Sequence, residues 1–196
     1  MKIYFMRHGF AYHNLGLKLF GDVAFNMKEY KDAKLTSEGV QHSIEMGKSL
    51  KNVNFTKLYC SPLLRCIETM IHFINQNSNY YVNNKTIVLD DRLMEIQGKY
   101  LCNIRKDKLH LEKLIINIEK TFNLSNVDIN YNSQYKESEK DMYNKITAFM
   151  EDLKEFNNDD DVILIVSHYG WLNRFFQINT GKGYEFINSE VKIIEI

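Results

Sequence analysis

Two uninterrupted apolar runs lie at opposite ends of the chain, Ile3-Tyr4-Phe5-Met6 and Val162-Ile163-Leu164-Ile165-Val166, and each leads into a histidine, His8 and His168. Runs that are apolar at every residue describe strands covered on both faces, as in a parallel sheet with helices on either side. Strand and helix patterns alternate along the rest of the chain. The expected class is therefore α/β, a three-layer sandwich with a mostly parallel central sheet flanked by helices. Such sheets place their ligands in the crevice at the carboxyl ends of the strands. If the two runs are neighbours, both imidazoles and Arg7 arrive in that crevice together, and an imidazole beside a guanidinium fork suits a phosphoryl group.

A chain of 196 residues, 44% hydrophobic, can bury one core, so a single domain over 1–196 is expected. Lys plus Arg equals Asp plus Glu at 25 each, which gives no long-range field to attract nucleic acid or an anionic membrane. Met1 to Arg7 reaches charge too early for a signal peptide, and no stretch has the length of a membrane span. A cytoplasmic protein with a small-molecule partner is expected, its oligomeric state left open. Cys60, Cys66 and Cys102 are odd in number and lack CxxC spacing, which predicts reduced, mostly buried thiols and no zinc site.

Only Arg7, Arg65, Arg92, Arg105 and Arg174 among the basic residues are arginine. In a chain that uses lysine for generic charge, an arginine points to a planar fork gripping an oxyanion, although any one taken alone reads as surface charge.

The first strand is followed by a turn and an irregular segment to about Lys34. Thr36 or Ser37 caps a helix with Val40, Ile44, Gly47 and Leu50 on one face. Phe55 to Cys60 is a strand, and Ser61-Pro62 reads as N-cap and first position of the next helix, with Arg65 in its first turn. Asn75 to Lys85 reads as loop and Thr86 to Leu89 as strand. A connection from Asp90 to Lys106 and a helix from about Leu109 to Phe122 follow, then an irregular stretch to Ser138. A helix from about Glu139 to Phe156, the Val162 strand, a helix from about Trp171 to Ile178 and a strand at Val191 to Ile194 complete the chain. Trp171 either packs inside or marks an interface.

Arg7-His8-Gly9 with Asn14, Leu35-Thr36-x-x-Gly39, Ser61-Pro62-Leu63-x-Arg65-x-x-x-Thr69, Glu95, and Val166-Ser167-His168-x-Gly170 resemble, in order, the motifs of the histidine phosphatase superfamily, which includes the cofactor-dependent phosphoglycerate mutases. His13-Asn14, Asp32-Ala33-x-Leu35-Thr36 and the segment Leu93 to Arg105 are similar to its plant and fungal phosphoglycerate-mutase-like branch. Tyr169 stands where the acid-phosphatase branch carries an aspartate.

The resemblance implies a phosphoglycerate mutase-like fold and a phosphomonoesterase without cofactor or metal. His8 would form a phosphohistidine, while Arg7, Arg65, His168 and Asn14 surround the phosphoryl oxygens. Glu95 would protonate the leaving alcohol and then activate water, with Asp90 and Asp91 as rivals. Lys99, Tyr100, Asn103 and Arg105 would lie near the entrance, with Tyr169 beside the second histidine, and bind the leaving group. Phosphoglycerate mutase chemistry, or a silent relative that binds a phospho-ligand or a protein, remain as alternatives. His13, His42, His72 and His110 read as surface or structural histidines. Cys60 to Arg65 has four intervening residues and no glycine, too few for a cysteine-phosphatase loop.

Overall fold

The computed structural model describes residues 1–77, 85–116, 118 and 120–195. Among them are six helices and one six-stranded sheet, in the order β1 (Lys2–Arg7), α1 (Tyr12–Phe20), α2 (Ser37–Ser49), β2 (Lys57–Cys60), α3 (Leu64–Ile74), β3 (Ile87–Asp90), α4 (Lys108–Ile115), β4 (Phe122–Asn126), α5 (Glu139–Glu155), β5 (Val162–Ser167), α6 (Tyr169–Thr180) and β6 (Val191–Glu195). The strands lie in the order β4-β3-β2-β5-β1-β6. Only β6 runs antiparallel. No helix of the described residues is long and apolar enough to cross a membrane.

The two apolar runs are neighbours, with Ile3 beside Ile163 and Arg7 beside Ser167. Their side chains divide between two cores, as the period of two requires. Ile3, Phe5, Ile163 and Ile165 meet α5 and α6 through Ile146, Phe149, Trp171 and Phe175. Tyr4, Met6, Leu164 and Val166 meet α3 through Ile67, Met70 and Phe73 on the other face. Burial on both faces is the reason no residue of either run is polar. Trp171 is fully buried, and its indole N–H donates to the carbonyl of Arg92 at 2.7 Å. All three cysteines are buried and unpaired.

Four expectations change. The segment after β1 holds α1, a helix that buries His13, Asn14 and Gly16 while exposing Tyr12, Leu19 and Phe20. Its hydrophobic pattern is inverted, so periodicity could not signal it. The helix expected to reach Phe122 stops at Ile115, and Phe122–Asn126 instead forms the edge strand β4 against β3. Phe122 and Leu124 face the core and alternate with Asn123 and Ser125, a half-polar pattern suited to an edge. Helix α3 begins at Leu64 and not at Pro62, and its first amide is capped from afar by Asp32 Oδ1 at 2.8 Å, while the Ser61 hydroxyl makes only a long contact of 3.4 Å with the Leu63 amide before the helix. Helix α6 starts two residues early, so that His168 is its N-cap residue. The loop expected at Asn75 to Lys85 falls for the most part outside the described residues.

Arg105, expected at the entrance, is instead buried at 2% exposure. Its Nε and Nη2 donate to the two carboxylate oxygens of Asp91, both at 2.7 Å, and Nη2 also reaches the carbonyl of Asp128. The guanidinium lies 4.0 Å from the centre of the Tyr131 ring. It ties the connection after β3 to the segment after β4. Removing one partner of such a buried pair leaves the other charge desolvated and unpaired. Arg105→Ala is therefore expected to cost about 3–5 kcal/mol of stability, read as a lowered midpoint in urea unfolding; a change within error would show that the pair is not a structural tie.

Candidate active site

The pairing of β1 with β5 continues one step past both strands, where the His8 amide donates to the Ser167 carbonyl at 3.0 Å. His8 and His168 consequently stand side by side, ring centroids 5.2 Å apart, both buried. His8 Nδ1 lies 2.8 Å from the carbonyl of Gly9, an acceptor only, so Nδ1 carries the proton and Nε2 keeps its lone pair. His168 Nε2 sits 2.7 Å from the Ser61 hydroxyl, the side chain that does not cap α3.

The loop carrying His8 is fixed from three directions. Asn188 Nδ2 donates to the His8 carbonyl at 3.0 Å and the Ser189 amide to that of Arg7 at 3.2 Å. Thr69 Oγ1 accepts from the Gly9 amide at 2.8 Å and donates to the Arg65 carbonyl at 2.7 Å, which couples His8 to Arg65. Below, Thr36 Oγ1 donates to the Phe10 carbonyl at 2.9 Å. A Cβ on Gly39 would come within 2.1 Å of that same carbonyl, so the spacing Thr36-x-x-Gly39 is the bed on which the loop lies.

Two guanidinium groups close the inner end. Arg7 Nη1 donates to the carbonyl of Phe186 at 2.7 Å; Arg65 donates from Nη1 to the carbonyl of Cys102 at 2.9 Å and from Nη2 to Asn103 Oδ1 at 3.1 Å. Both Nε atoms are buried and find no partner among the described residues, and the same holds for Nδ1 of His13. Buried polar atoms are normally satisfied, and two orphan guanidinium donors on residues lining one cavity mark a site for an acceptor. His13, expected to be a surface or structural histidine, is not on the surface: it is buried, its ring centroid 5.4 Å from that of His8, on the cavity wall. The pair His13-Asn14 was the signal that should have raised it. Asn14 Oδ1 accepts from the Ala11 amide at 3.0 Å, which leaves the amide nitrogen as its donor.

Burial, reinforced by the charge of Arg65, holds His8, His13 and His168 well below the ordinary histidine value. Burial also lowers the Arg7 guanidinium. The imidazoles are neutral where the guanidiniums are charged.

Glu95 lies across the cavity, Oε2 accepting from the Gly170 amide at 2.8 Å and Oε1 from its neighbour Ile96 at 3.0 Å. A Cβ on Gly170 would meet Oε1 at 2.3 Å, so glycine there is what admits the carboxylate to the first turn of α6. The rivals are engaged elsewhere, Asp90 with Arg92 and Asn126, Asp91 with Arg105. Tyr169 forms the outer wall, its ring 5.4 Å from the Arg7 guanidinium. Lys99, Tyr100 and Asn103 line the cavity, which encloses about 620 Å³. Phe25 and Asn188 carried no motif and were missed. Among the described residues, no group of three or more His, Cys, Asp and Glu is arranged to hold a metal ion.

A family model for the histidine phosphatase superfamily, branch 1, matches residues 3–190. The chain belongs to this superfamily. No curated protein sequence matches it. A phosphoglycerate mutase from Bacillus anthracis superposes on this superfamily member with a TM-score of 0.68 at 18% identity, over 98% of this chain and 86% of its own. A phosphoserine phosphatase from Entamoeba histolytica, in complex with 3-phosphoglyceric acid, gives 0.61 at 20% identity over 98% and 89%. A mycobacterial glucosyl-3-phosphoglycerate phosphatase bound to VO3 gives 0.65 at 13% identity over 98% and 91%. At such identities the likeness is one of fold.

Three histidines that stay neutral when folded but protonate when unfolded set a stability trend of definite sign. Below about pH 6.5 the unfolded chain binds more protons, so stability falls with pH until the folded pKa values, well below, are reached. The slope contributed by the three approaches roughly 4 kcal/mol per pH unit. Urea midpoints measured from pH 7.5 to 5 should fall, and the fall should flatten in His13→Gln; an identical slope in the variant would refute neutral burial of His13.

Proposed function

We propose that the protein is a phosphomonoesterase that works through a phosphohistidine on His8. The observation that carries this is the joint arrangement, on one cavity, of an unprotonated His8 Nε2 and two guanidiniums with unpartnered buried Nε donors, the His168 ring packed beside His8. In the first step Nε2 attacks phosphorus and the P–O bond to the alcohol breaks, with Arg7, Arg65, His168 and Asn14 stabilising the phosphoryl oxygens. The acid form of Glu95 gives its proton to the departing oxygen. In the second step Glu95 takes a proton from water, the hydroxyl attacks phosphorus, the P–N bond breaks and inorganic phosphate leaves with His8 restored. The donors are fixed before substrate arrives by the carbonyls of Phe186 and Cys102 and by Asn103, so little reorganisation accompanies the reaction.

No step of this scheme needs a metal. That a solved phosphatase of the same fold is described as a complex with VO3, an oxyanion, supports an oxyanion as the ligand of this cavity. Within the superfamily we place the chain with the plant and fungal phosphoglycerate-mutase-like branch, on the strength of Asp32 and His13. Asp32 caps Leu64 and also accepts from the Lys106 amide at 3.3 Å, and His13 lies in the cavity, so both branch residues bear on the site.

With an aryl phosphate, the protein should release inorganic phosphate in the presence of chelator, and a phosphoenzyme labile to acid but stable to base should be trapped on His8. His8→Ala should lower turnover at least about 1,000-fold. Glu95→Gln should slow esters of poor leaving groups more than aryl esters. Interconversion of phosphoglycerates without net phosphate release would instead establish a mutase, and binding without turnover across a broad ester panel a silent relative.

A further inference from the structure

The alcohol end of the cavity is built differently from the phosphoryl end. From His8 outward, one wall is a run of rings: His13 at 5.4 Å, Phe25 6.4 Å beyond it, and Tyr100 4.8 Å from Phe25, between centroids. Leu17 and Ile96 add aliphatic surface on the same cavity. Phe25 and Tyr100 come from segments far apart in sequence, yet the Leu101 amide donates to Asn26 Oδ1 at 3.2 Å and locks the two together. Both rings are only half-buried, although nothing in their own segments requires them to face a cavity.

The polar groups at this end offer little to a charged or hydroxylated alcohol. Asn103 spends Oδ1 on Arg65 and Nδ2 on the Ile96 carbonyl at 3.0 Å. Beyond the two guanidiniums that hold the phosphoryl group, the cation on the lining is Lys99, which is exposed with its ammonium 4.9 Å from the Tyr100 ring centre. The carboxylates of Glu95 and Glu139 also line the cavity, Glu139 being ion-paired with Arg174. A carboxylate or second phosphate on the alcohol would find at this end one solvated ammonium, Lys99, and the already paired Glu139–Arg174 couple. Resting on the phosphatase reading, we infer that the substrates are phosphomonoesters of an aromatic or otherwise flat, apolar alcohol, which lies against Phe25 and Tyr100 while its phosphate reaches His8. A cavity of about 620 Å³ has the size of a small-molecule site.

The test compares benzyl phosphate with glycerol 1-phosphate, both esters of primary alcohols, so that leaving ability does not decide the outcome. Benzyl phosphate should have kcat/KM about tenfold higher or more, the scale expected of two aromatic contacts plus apolar burial. In Phe25→Ala and Tyr100→Ala the ratio between the two esters should fall about threefold to tenfold, and Phe25→Tyr should restore it. Equal rates for the two esters, or a loss in the variants that spares the ratio, would overturn the inference while leaving the phosphatase reading intact. Titration with benzylphosphonate and 3-phosphonopropionate separates the two ideas: tighter binding of the aromatic ligand without turnover of either ester overturns the phosphatase reading and keeps the aromatic pocket, whereas no aromatic preference in binding or turnover overturns the pocket.

Discussion

The parallel register between β1 and β5 is the constraint from which the site follows. It sets Arg7 against Ser167 and, one residue on, His8 against His168. A slip of one residue would exchange the faces of every side chain in the strand. Here both faces are apolar, so alternation alone would not forbid it. What distinguishes the register is size and shape: Phe5 packs 4.3 Å from Phe175 between centroids on one face, while Tyr4 meets Phe55 at 5.1 Å on the other. The packing that holds the sheet therefore also sets the distance between the two imidazoles.

Gathering two guanidiniums and three imidazoles in a buried space is unfavourable, and the fold limits the cost in two ways. Burial and the field of Arg65 keep the imidazoles neutral, so the cluster holds two positive charges and not five. A carboxylate then acts on each guanidinium. Glu95 opposes Arg7, and Asp32, whose own carboxyl is pushed up by burial, lies within the field of Arg65. Asp32 does this while capping the first amide of α3, the helix on which Arg65 stands. One side chain thus places the arginine and offsets its charge. On the proposed reading, the phosphate of a substrate would complete the neutralisation, and the residual positive charge of the cluster would be the source of affinity for it.

The sequence disclosed those parts of the molecule whose side chains repeat with the geometry of an element. The two buried runs, the stripe of α5 from Met142 to Leu153 and the capped start of α2 all do so. It was silent where function inverts the pattern. Helix α1 turns polar residues inward because His13 and Asn14 face the cavity, so the feature that hides it as a helix is the one that makes it part of the site. Ser61 misled for a related reason: as a cap it would be ordinary, but its hydroxyl is engaged by His168 and the cap is supplied by a residue 32 positions away. Arg105 shows the opposite error. An arginine that lies near site residues in sequence was given a ligand, when its partner is an aspartate 14 positions earlier. Sequence can show that a residue is a fork for an oxyanion; it cannot show whether the oxyanion belongs to the substrate or to the protein.

On the proposed reading the cavity has a phosphoryl end and an alcohol end, and the two differ in how they are made, which bears on how such a fold can change its substrate. The phosphoryl end is assembled from strand ends and first helical turns, where each donor is held by backbone hydrogen bonds of the core. The alcohol end is assembled from short turns, Gly21–Asn26 and the stretch before Leu101, joined by one amide contact. Gly21 caps the end of α1, but substitutions at the other positions of these turns disturb no strand pairing, so they can reshape the wall of this end without moving His8 or its guanidiniums. Glu95 is the link between the two ends, since its carboxylate rests on the first turn of α6 while its backbone belongs to the loop that continues to Tyr100. In the proposed reaction its proton would have to reach the leaving oxygen whatever alcohol is attached. The glycine at position 170 secures this by anchoring the acid to the rigid end, leaving the mobile chemistry of substrate choice to the residues that follow it.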